Sequence, residues 1–159
     1  MNWVDVCRDK NLSDLPYKIE LNNAGQIVMS PTRNWHGYYA SKIARLLAEF
    51  MKTGETLVEC AIETEDSTKV ADAVWASSER FQIIKDEASC SIAPEICVEV
   101  RSPTNSNDEI ARKRRLCLKA GATEFWVCGD DGQLEFFDET GKISRSRLCP
   151  LFPVNLASS

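Results

Sequence analysis

Histidine is almost absent from this chain of 159 residues, and no C-x-x-C pair occurs among its cysteines, so the ligands of a zinc enzyme are missing. With His36 as the only histidine and no G-x-S-x-G motif, the sequence also disfavours a serine or cysteine triad. Glycine-rich phosphate loops of the P-loop and dinucleotide types do not occur either. The chemistry open to the chain therefore depends on carboxylates and cations.

The seven cysteines are scattered and odd in number, which favours reduced thiols over a disulfide framework. Two of them, Cys60 and Cys97, lie in apolar strand patterns and are expected to fill core space. No apolar run approaches the roughly 18 residues of a membrane span, and the first residues lack the apolar centre of a signal peptide. We therefore expect a cytoplasmic protein with no membrane partner.

The composition, 43% hydrophobic and 27% charged, is ordinary for a globular protein, and the length fits one domain, 1–159, with a core from about 17 to 148. A net charge of −5 is unusual for a nucleic-acid binder, because phosphate binders usually carry a basic surface. The run Arg112–Arg115 is a local exception. It is either a solvated helix face or a phosphate-binding track.

Hydrophobic periodicity predicts an α/β (α+β) domain. Two short strands, 17–22 and 26–30, surround an Asn-Asn-Ala-Gly turn, which is typical of a hairpin. Helices are predicted at 36–52 and 107–120, with a short helix or turn at 79–87. Further strands are predicted at 57–63, 70–75, 95–101, 124–128 and 133–138, with an edge strand at 142–148. The last residues, 151–159, are expected to add little to the core.

Four charged residues lie at positions that are costly for stability. Asp72 interrupts an apolar strand, where an acid is normally avoided. Glu99 and Arg101 are expected to share one face of the next strand, and burying them costs desolvation unless both are paired. Lys113 falls inside the apolar arc of the second long helix, as does Arg114. Such a lysine either extends past the core edge or reaches an anion.

These residues are suited to a divalent-metal site. Asp72 and Glu99 supply the oxygen ligands that Mg²⁺ prefers. The metal would acidify a water and hold a phosphodiester, while a lysine would orient that water or stabilise developing charge. Arg101 is too basic to accept a proton and would act as an electrostatic clamp, which makes Lys113 the better candidate for positioning water. No small-molecule cofactor is expected.

Several segments, in order, resemble the Uma family of restriction-endonuclease-like proteins. This bacterial group, much expanded in cyanobacteria, belongs to the PD-(D/E)XK nuclease superfamily. The segments are IELNNAGQIVMSPTRNWHG, VADAVW, PEICVEVRSPTNS and DEIARKRRLCLKAGATEFWVC, which together run from about Glu20 to Asp138. The resemblance implies a mixed β-sheet flanked by helices. It also implies an endonuclease that hydrolyses DNA phosphodiester bonds with Mg²⁺ or Mn²⁺, commonly as a homodimer.

The resemblance also assigns roles to individual residues. Asp72 occupies the place of the superfamily aspartate, and Glu99 that of the acid in the E-x-K strand, so both are implied metal ligands. Arg101 stands where the strand lysine would be. Lys113 matches the helix lysine that is thought to replace it.

Other positions that match or depart from the family pattern have less defined roles. Glu20 and His36 match recurrent polar positions, which implies that they line the cleft. Ala71 replaces a proline expected before the aspartate, and Cys117 replaces a tyrosine on the helix face beside Lys113. Neither departure removes an implied metal ligand.

Three interpretations remain open from the sequence. The first is a Mg²⁺-dependent endonuclease acting on DNA. The second is a nuclease-fold protein that binds DNA or a partner protein without cutting, which agrees with the negative net charge and the two departures. The third is purely structural, with Asp72 paired to Arg101 and Glu99 paired to Lys113 as buried ion pairs.

Overall fold

The computed structural model describes residues 1–158, which form helices around a mixed β-sheet together with a separate hairpin. The helices are α1 (Trp3–Arg8), α2 (Asn34–Met51), α3 (Ser78–Ile84) and α4 (Asn107–Lys119), with short 3₁₀ turns at Lys10–Leu12 and Leu156–Ser158. The hairpin strands are β1 (Tyr17–Leu21) and β2 (Ile27–Pro31). The sheet strands are β3 (Glu55–Thr64), β4 (Ser67–Ala76), β5 (Ile96–Val100), β6 (Glu124–Cys128), β7 (Leu134–Asp138) and β8 (Gly141–Ile143).

The six strands of the sheet lie in chain order, β3-β4-β5-β6-β7-β8. Only β5 and β6 are parallel, with Ile96 opposite Glu124, and the other neighbours in this described sheet are antiparallel. A parallel pair needs a long crossover connection, which α4 supplies. The predicted class, a mixed sheet flanked by helices, is confirmed.

Helices cover both faces of the sheet. On one face, α2 buries Leu47 in the same apolar cluster as Trp126 of β6. On the other face, α4 buries Cys117 in a second cluster with Phe125. Because the central strands are covered on both sides, all five residues of β5 are buried.

The predicted start of α4 at residue 107 is confirmed, and the helix ends at Lys119, one residue before the predicted end. The Ser106 hydroxyl accepts a hydrogen bond from the backbone N–H of Glu109 at 3.1 Å, as an N-cap residue should. After the last turn, Gly121 adopts a φ of 118°, which residues with a Cβ rarely reach. The Ser106 cap and the turn at Gly121 therefore define where the crossover helix α4 begins and ends.

The end of the chain departs from the prediction. Phe152 and Leu156 are buried members of the core under α2, at 3% and 0% exposure, so the expectation that 151–159 adds little to the core is wrong. The backbone N–H of Leu156 donates to Gly132 at 2.9 Å, which holds the segment against the β6–β7 turn. Ser159, the last residue of that predicted segment, lies outside the described residues.

The predicted edge strand at 142–148 is shorter in the structure. Pairing with β7 ends at Ile143, because the chain then turns inward to Glu124. The Glu124 carboxylate accepts the backbone N–H groups of Arg147 and Leu148, which would otherwise be available for pairing with another strand. A buried acid thus replaces the predicted extension of the strand.

Two other predictions concern the cysteines and membrane spans. Cys60 and Cys97 are buried at 5% and 0% exposure, which confirms their predicted place in the core. All seven cysteines are free thiols in the structure. Among residues 1–158, no helix has the length and apolar character needed to cross a membrane.

Candidate active site

The site lies where the neighbouring strands β4 and β5 stop pairing with each other. The ladder between β4 and β5 ends at the pair formed by Ala73 and Val98. Asp72 and Glu99 are the next residues on the two strands, and both are buried, at 2% and 4% exposure. The backbone N–H of Val100 donates to Asp72 Oδ2 at 2.7 Å, so a carboxylate takes the place of a β4 carbonyl. The structure therefore brings the two predicted acids together.

A lysine from the hairpin lies between the two acids. Lys18 Nζ is 3.0 Å from Asp72 Oδ1 and 2.8 Å from Glu99 Oε1. The carboxylates are thus close enough to bind one cation together. Lys18 is absent from the residues predicted from the sequence, although the two-residue period of β1 places it on the same face as Glu20.

Lys113 reaches the same acids from the opposite side. Its ammonium lies 2.8 Å from Glu99 Oε2 and 2.9 Å from Glu20 Oε2, and it donates to the Val70 carbonyl at 2.8 Å. Of the two orientations open from the sequence, Lys113 adopts the one that reaches an anion. The ion pair between Glu99 and Lys113, expected under the structural interpretation, is present.

Glu20 joins the hairpin to the central sheet. Its Oε2 accepts the backbone N–H of Val70 at 2.7 Å as well as contacting Lys113. This contact lies two residues before Asp72 on β4. Glu20 also lines a cavity that reaches Glu99.

His36 contacts Asp72 from the first turn of α2. Its Nε2 lies 3.1 Å from Asp72 Oδ2, the oxygen that also accepts the Val100 N–H. Five of the six predicted site residues are therefore in one group of contacts: Asp72, Glu99, Lys113, Glu20 and His36.

Arg101 is the predicted residue that the structure places elsewhere. Strand β5 ends at Val100, and the Arg101 side chain lines a neighbouring cavity beside Pro103. Within residues 1–158, Arg101 forms no ion pair with Asp72 or Glu99. The buried Asp72–Arg101 pair of the structural interpretation is thus not observed.

The comparisons with known proteins agree with this fold. Residues 10–153 match the family model Uma2, described as "Putative restriction endonuclease". The chain belongs to this family. The crystal structure of a protein from Anabaena variabilis ATCC 29413, described as a "putative nuclease belonging to DUF820", has a TM-score of 0.71 with 16% identity and covers 86% of each chain. At that identity the likeness shows the fold alone. No curated protein matches this Uma2 chain.

Charge and burial give the two acids of this Uma2 chain opposite shifts. Burial raises the pKa of the Asp72 carboxyl, but the hydrogen bond from His36 and the charges of Lys18 and Lys113 outweigh it, so the pKa lies below its usual value. Burial, followed by the neighbouring charge of Asp72, raises the pKa of Glu99. Burial lowers the pKa of Lys113, but the surrounding carboxylates raise it well above its usual value. Lys113 therefore stays charged.

The basic run of α4 does not form one phosphate-binding track. Arg112 pairs with Asp66 at 3.2 Å, and Lys113 is buried in the site. The Arg114 guanidinium lies 4.2 Å from the centre of the Phe137 ring. Arg112 and Arg115 line one cavity with Lys119, whereas Lys113 and Arg114 have other contacts, so the four side chains do not follow one line.

The donor set is suited to a divalent cation. Asp72 and Glu99 offer carboxylate oxygens around one point, and Lys113 pairs with the outer Glu99 oxygen, Oε2, at 2.8 Å. In this described part of the chain, no group of three or more His, Cys, Asp or Glu side chains is arranged to hold a metal. Two carboxylates are sufficient for Mg²⁺, because it usually keeps several waters.

The acids are reachable from solvent through adjoining cavities. Glu99 lines a cavity of about 290 Å³ together with Glu20, Asp66, Lys69, Arg112 and Lys113. Asp72 lines another, of about 330 Å³, together with Lys18, Arg33 and His36. A smaller one reaches Glu99 between Lys18 and His36. The carboxylates are thus buried by their ion pairs and still lie at the base of an open cleft.

Proposed function

We propose that this Uma2 protein is a Mg²⁺- or Mn²⁺-dependent endonuclease that hydrolyses DNA phosphodiester bonds. The observation that supports it most is the contact of one Lys18 ammonium with both Asp72 and Glu99. That arrangement provides two hard oxygen donors around a single cation position. The family model, described as "Putative restriction endonuclease", suggests the class of reaction.

The protein side chains have separate tasks in this proposal. A divalent ion held by Asp72 and Glu99 would supply Lewis-acid chemistry, binding a phosphate oxygen and lowering the pKa of a water. Asp72 is fixed for that role by the Val100 N–H and by His36, at 2.7 and 3.1 Å. Lys18 must leave its position between the acids before they can bind another cation.

Lys113 acts through its charge. Its ammonium already lies within 2.9 Å of three protein oxygens, on Glu99, Glu20 and Val70. With its donors directed at these groups, it holds Glu99 in place and stabilises negative charge that develops on the phosphate. Arg101, at the edge of the cleft, would contact the DNA backbone as an electrostatic clamp.

A second candidate is a nuclease-fold protein that binds DNA or a partner protein without cutting. The observation that favours it is the capping of both carboxylates by protein cations: Lys18 and Lys113 on Glu99, and Lys18 and His36 on Asp72. Both candidates use the same cleft. They differ in whether a metal ion displaces Lys18.

Cleavage of supercoiled plasmid with Mg²⁺ or Mn²⁺ tests the proposal. We expect the wild-type protein to nick or linearise the plasmid, and Glu99→Gln to lose that activity, since an amide is a poor ligand for Mg²⁺. Glu135→Gln is the matched control, because among the described residues Glu135 pairs only with Lys142, at an exposed position, and the variant should cut as the wild type does.

Two results would contradict this function. If the wild-type protein retards DNA but leaves the plasmid intact with either metal, the non-cleaving candidate is correct. If Glu99→Gln cuts at the wild-type rate while its thermal melting matches the wild type, the carboxylate pair is not the site of cleavage.

We also propose that the protein acts as a homodimer, so that two sites address the two strands of a duplex. Light scattering after size exclusion should then give about twice the chain mass of 17.8 kDa. A mass of 17.8 kDa for the protein alone, together with one chain per DNA molecule in the complex, would exclude the dimer.

A further inference from the structure

An aromatic surface lies beside the acidic site. The first turns of α2 carry Trp35, Tyr38 and Tyr39, which we call the aromatic platform. Trp35 is 64% exposed and Tyr38 is 51% exposed, whereas Tyr39 is buried. Single exposed aromatic residues are ordinary, but adjacent exposed rings next to a cleft are typical of binding surfaces.

The platform is held rigidly from below. The Tyr39 hydroxyl donates to the carbonyl of Asp130 at 3.4 Å, which anchors its ring. The Trp35 ring lies 5.6 Å from that of Tyr39 at an interplanar angle of 33°, and 5.3 Å from that of Tyr38 at 83°. Neighbouring rings thus hold the indole in place while most of its surface faces solvent.

The adjoining cavity has the charge that a nucleic-acid backbone requires. It has a volume of about 200 Å³ and is lined by the platform residues Trp35 and Tyr39 together with Arg33 and Arg101. Neither arginine forms an ion pair with any residue in 1–158. Among the lining residues only Asp130 is acidic. The two guanidinium groups are therefore available to an anionic ligand.

The cavity is continuous with the acidic site. His36 lines it and also contacts Asp72 at 3.1 Å. Ser102 lines it and also the cavity that reaches Glu99. A ligand held by the platform would therefore lie one side chain away from the candidate metal ligands.

We propose that the aromatic platform stacks an unpaired nucleobase next to the phosphate held at Asp72 and Glu99, with Arg33 and Arg101 contacting the neighbouring backbone. Stacking requires an open base face, which a duplex keeps inside its own stack. The platform therefore favours single-stranded DNA, or a duplex with an unpaired nucleotide, over a fully paired duplex. This inference rests on the proposed function for the placement of the phosphate.

Fluorescence anisotropy in EDTA tests the platform without cleavage. The probes are a labelled single-stranded DNA and a blunt duplex of the same sequence. Trp35→Ala should weaken binding of the single strand by about 5- to 150-fold, the range expected for the loss of one stacked base, and leave duplex binding nearly unchanged. Trp35→Phe keeps a ring and should stay within about threefold of wild type. Trp3→Ala, an aromatic deletion in α1 outside the cavity, should bind both probes as the wild type does.

A second variant tests the cationic part. Arg101→Gln should reduce the slope of log affinity against log salt on the single strand by about 0.7, the value for one lost phosphate contact. An unchanged slope would show that Arg101 does not contact a phosphate of the single strand. Thermal melting of each variant checks that the protein remains folded.

The outcomes separate this inference from the nuclease proposal. If Trp35→Ala binds the single strand as tightly as the wild type, or loses duplex binding equally, the platform proposal is overturned, whether or not the protein cuts DNA. Binding that depends on Trp35 without any metal-dependent cleavage keeps the platform and removes the nuclease. Absence of nucleic-acid binding in the wild-type protein overturns both.

Discussion

Lys18 holds its ammonium nitrogen 2.8 Å from Glu99 Oε1, and this contact joins the β1–β2 hairpin to the centre of the main sheet. The same nitrogen contacts Asp72 at 3.0 Å. A buried carboxylate pair without a cation would suffer strong mutual repulsion, and the lysine relieves it. Any metal ion that binds these acids must therefore displace Lys18.

Removal of Lys18 should tighten metal binding. We expect Lys18→Met to bind Mn²⁺ at least about tenfold more tightly than the wild type, a difference of about 1.4 kcal/mol, because the metal no longer competes with a bound ammonium. Isothermal titration calorimetry measures this directly. Lys142→Met, which removes an exposed lysine paired with Glu135, is the control and should leave Mn²⁺ affinity unchanged. Equal or weaker Mn²⁺ binding in Lys18→Met would show that the lysine does not occupy the metal position.

The C-terminal loop depends on a buried acid. Each oxygen of Glu124 accepts two hydrogen bonds: Oε1 from the backbone N–H groups of Arg147 and Leu148, and Oε2 from the Trp126 indole and the Ser146 hydroxyl. In Glu124→Gln the amide NH₂ must face donors in either orientation, so we expect unfolding free energy to fall by about 1–3 kcal/mol.

Urea denaturation measures this loss. Glu135→Gln is a suitable control, since its ion pair is solvent-exposed and should contribute no more than about 1 kcal/mol. A Glu124→Gln variant as stable as the wild type would mean that the four hydrogen bonds add nothing to stability.

The last residues of the described chain should contribute to stability through the core. Leu156 is fully buried, so Leu156→Ala should lower the unfolding free energy by about 2–5 kcal/mol. Leu151 is 76% exposed in the same segment, and Leu151→Ala should change it by less than about 0.5 kcal/mol. Thermal or chemical denaturation of the two variants measures both changes in unfolding free energy. Equal effects of the two substitutions would show that the segment does not pack as described.

Asp66 should make stability depend on pH. Burial raises the pKa of its carboxyl. Hydrogen bonds from Lys69, from the Asn23 N–H and from Arg112 lower that pKa by a larger amount, so the folded-state pKa lies below its usual value. Stability from such a group is fully present above the unfolded-state pKa of about 3.9 and is lost as the pH falls through the folded-state pKa.

Comparison with Asp66→Asn isolates that contribution. The wild type should be more stable at pH 7 by roughly 1–2 kcal/mol, and the difference should shrink as the pH falls from about 5 towards 2. Urea denaturation at several pH values measures it. A difference that stays constant over this range would contradict the role given to the ionised carboxylate.

Local patterns predicted the strand and helix contributions to the site. Asp72 could be predicted because it interrupts an otherwise apolar strand, and Glu99 because the two-residue period places it on one strand face with Arg101, where both are costly unless paired. The helical period places Lys113, together with Arg114, on the inward side of α4, so it narrows the prediction to these two residues. Each of these predictions needs only the residues within one element.

The remaining contacts depend on how separate elements meet. Lys18 belongs to a hairpin outside the main sheet, and no local pattern specifies that the hairpin docks beside Asp72. Arg101 was assigned to the face of Glu99 by the two-residue period, but β5 ends at Val100 and the rule applies only within the strand. Burial of Leu156 is likewise set by long-range packing, which the proline-interrupted local sequence does not reveal.

The most direct test of the metal site at Asp72 and Glu99 measures bound metal ions and DNA cleavage in the same samples. Electron paramagnetic resonance titration of Mn²⁺ should show one bound ion per wild-type chain, and the wild type should cut plasmid DNA in that Mn²⁺. Asp72→Asn should lose both the bound ion and the cleavage while its circular dichroism spectrum is unchanged. If Asp72→Asn binds Mn²⁺ as the wild type does, or the wild type binds none, the account of Asp72 and Glu99 as a shared metal site is wrong.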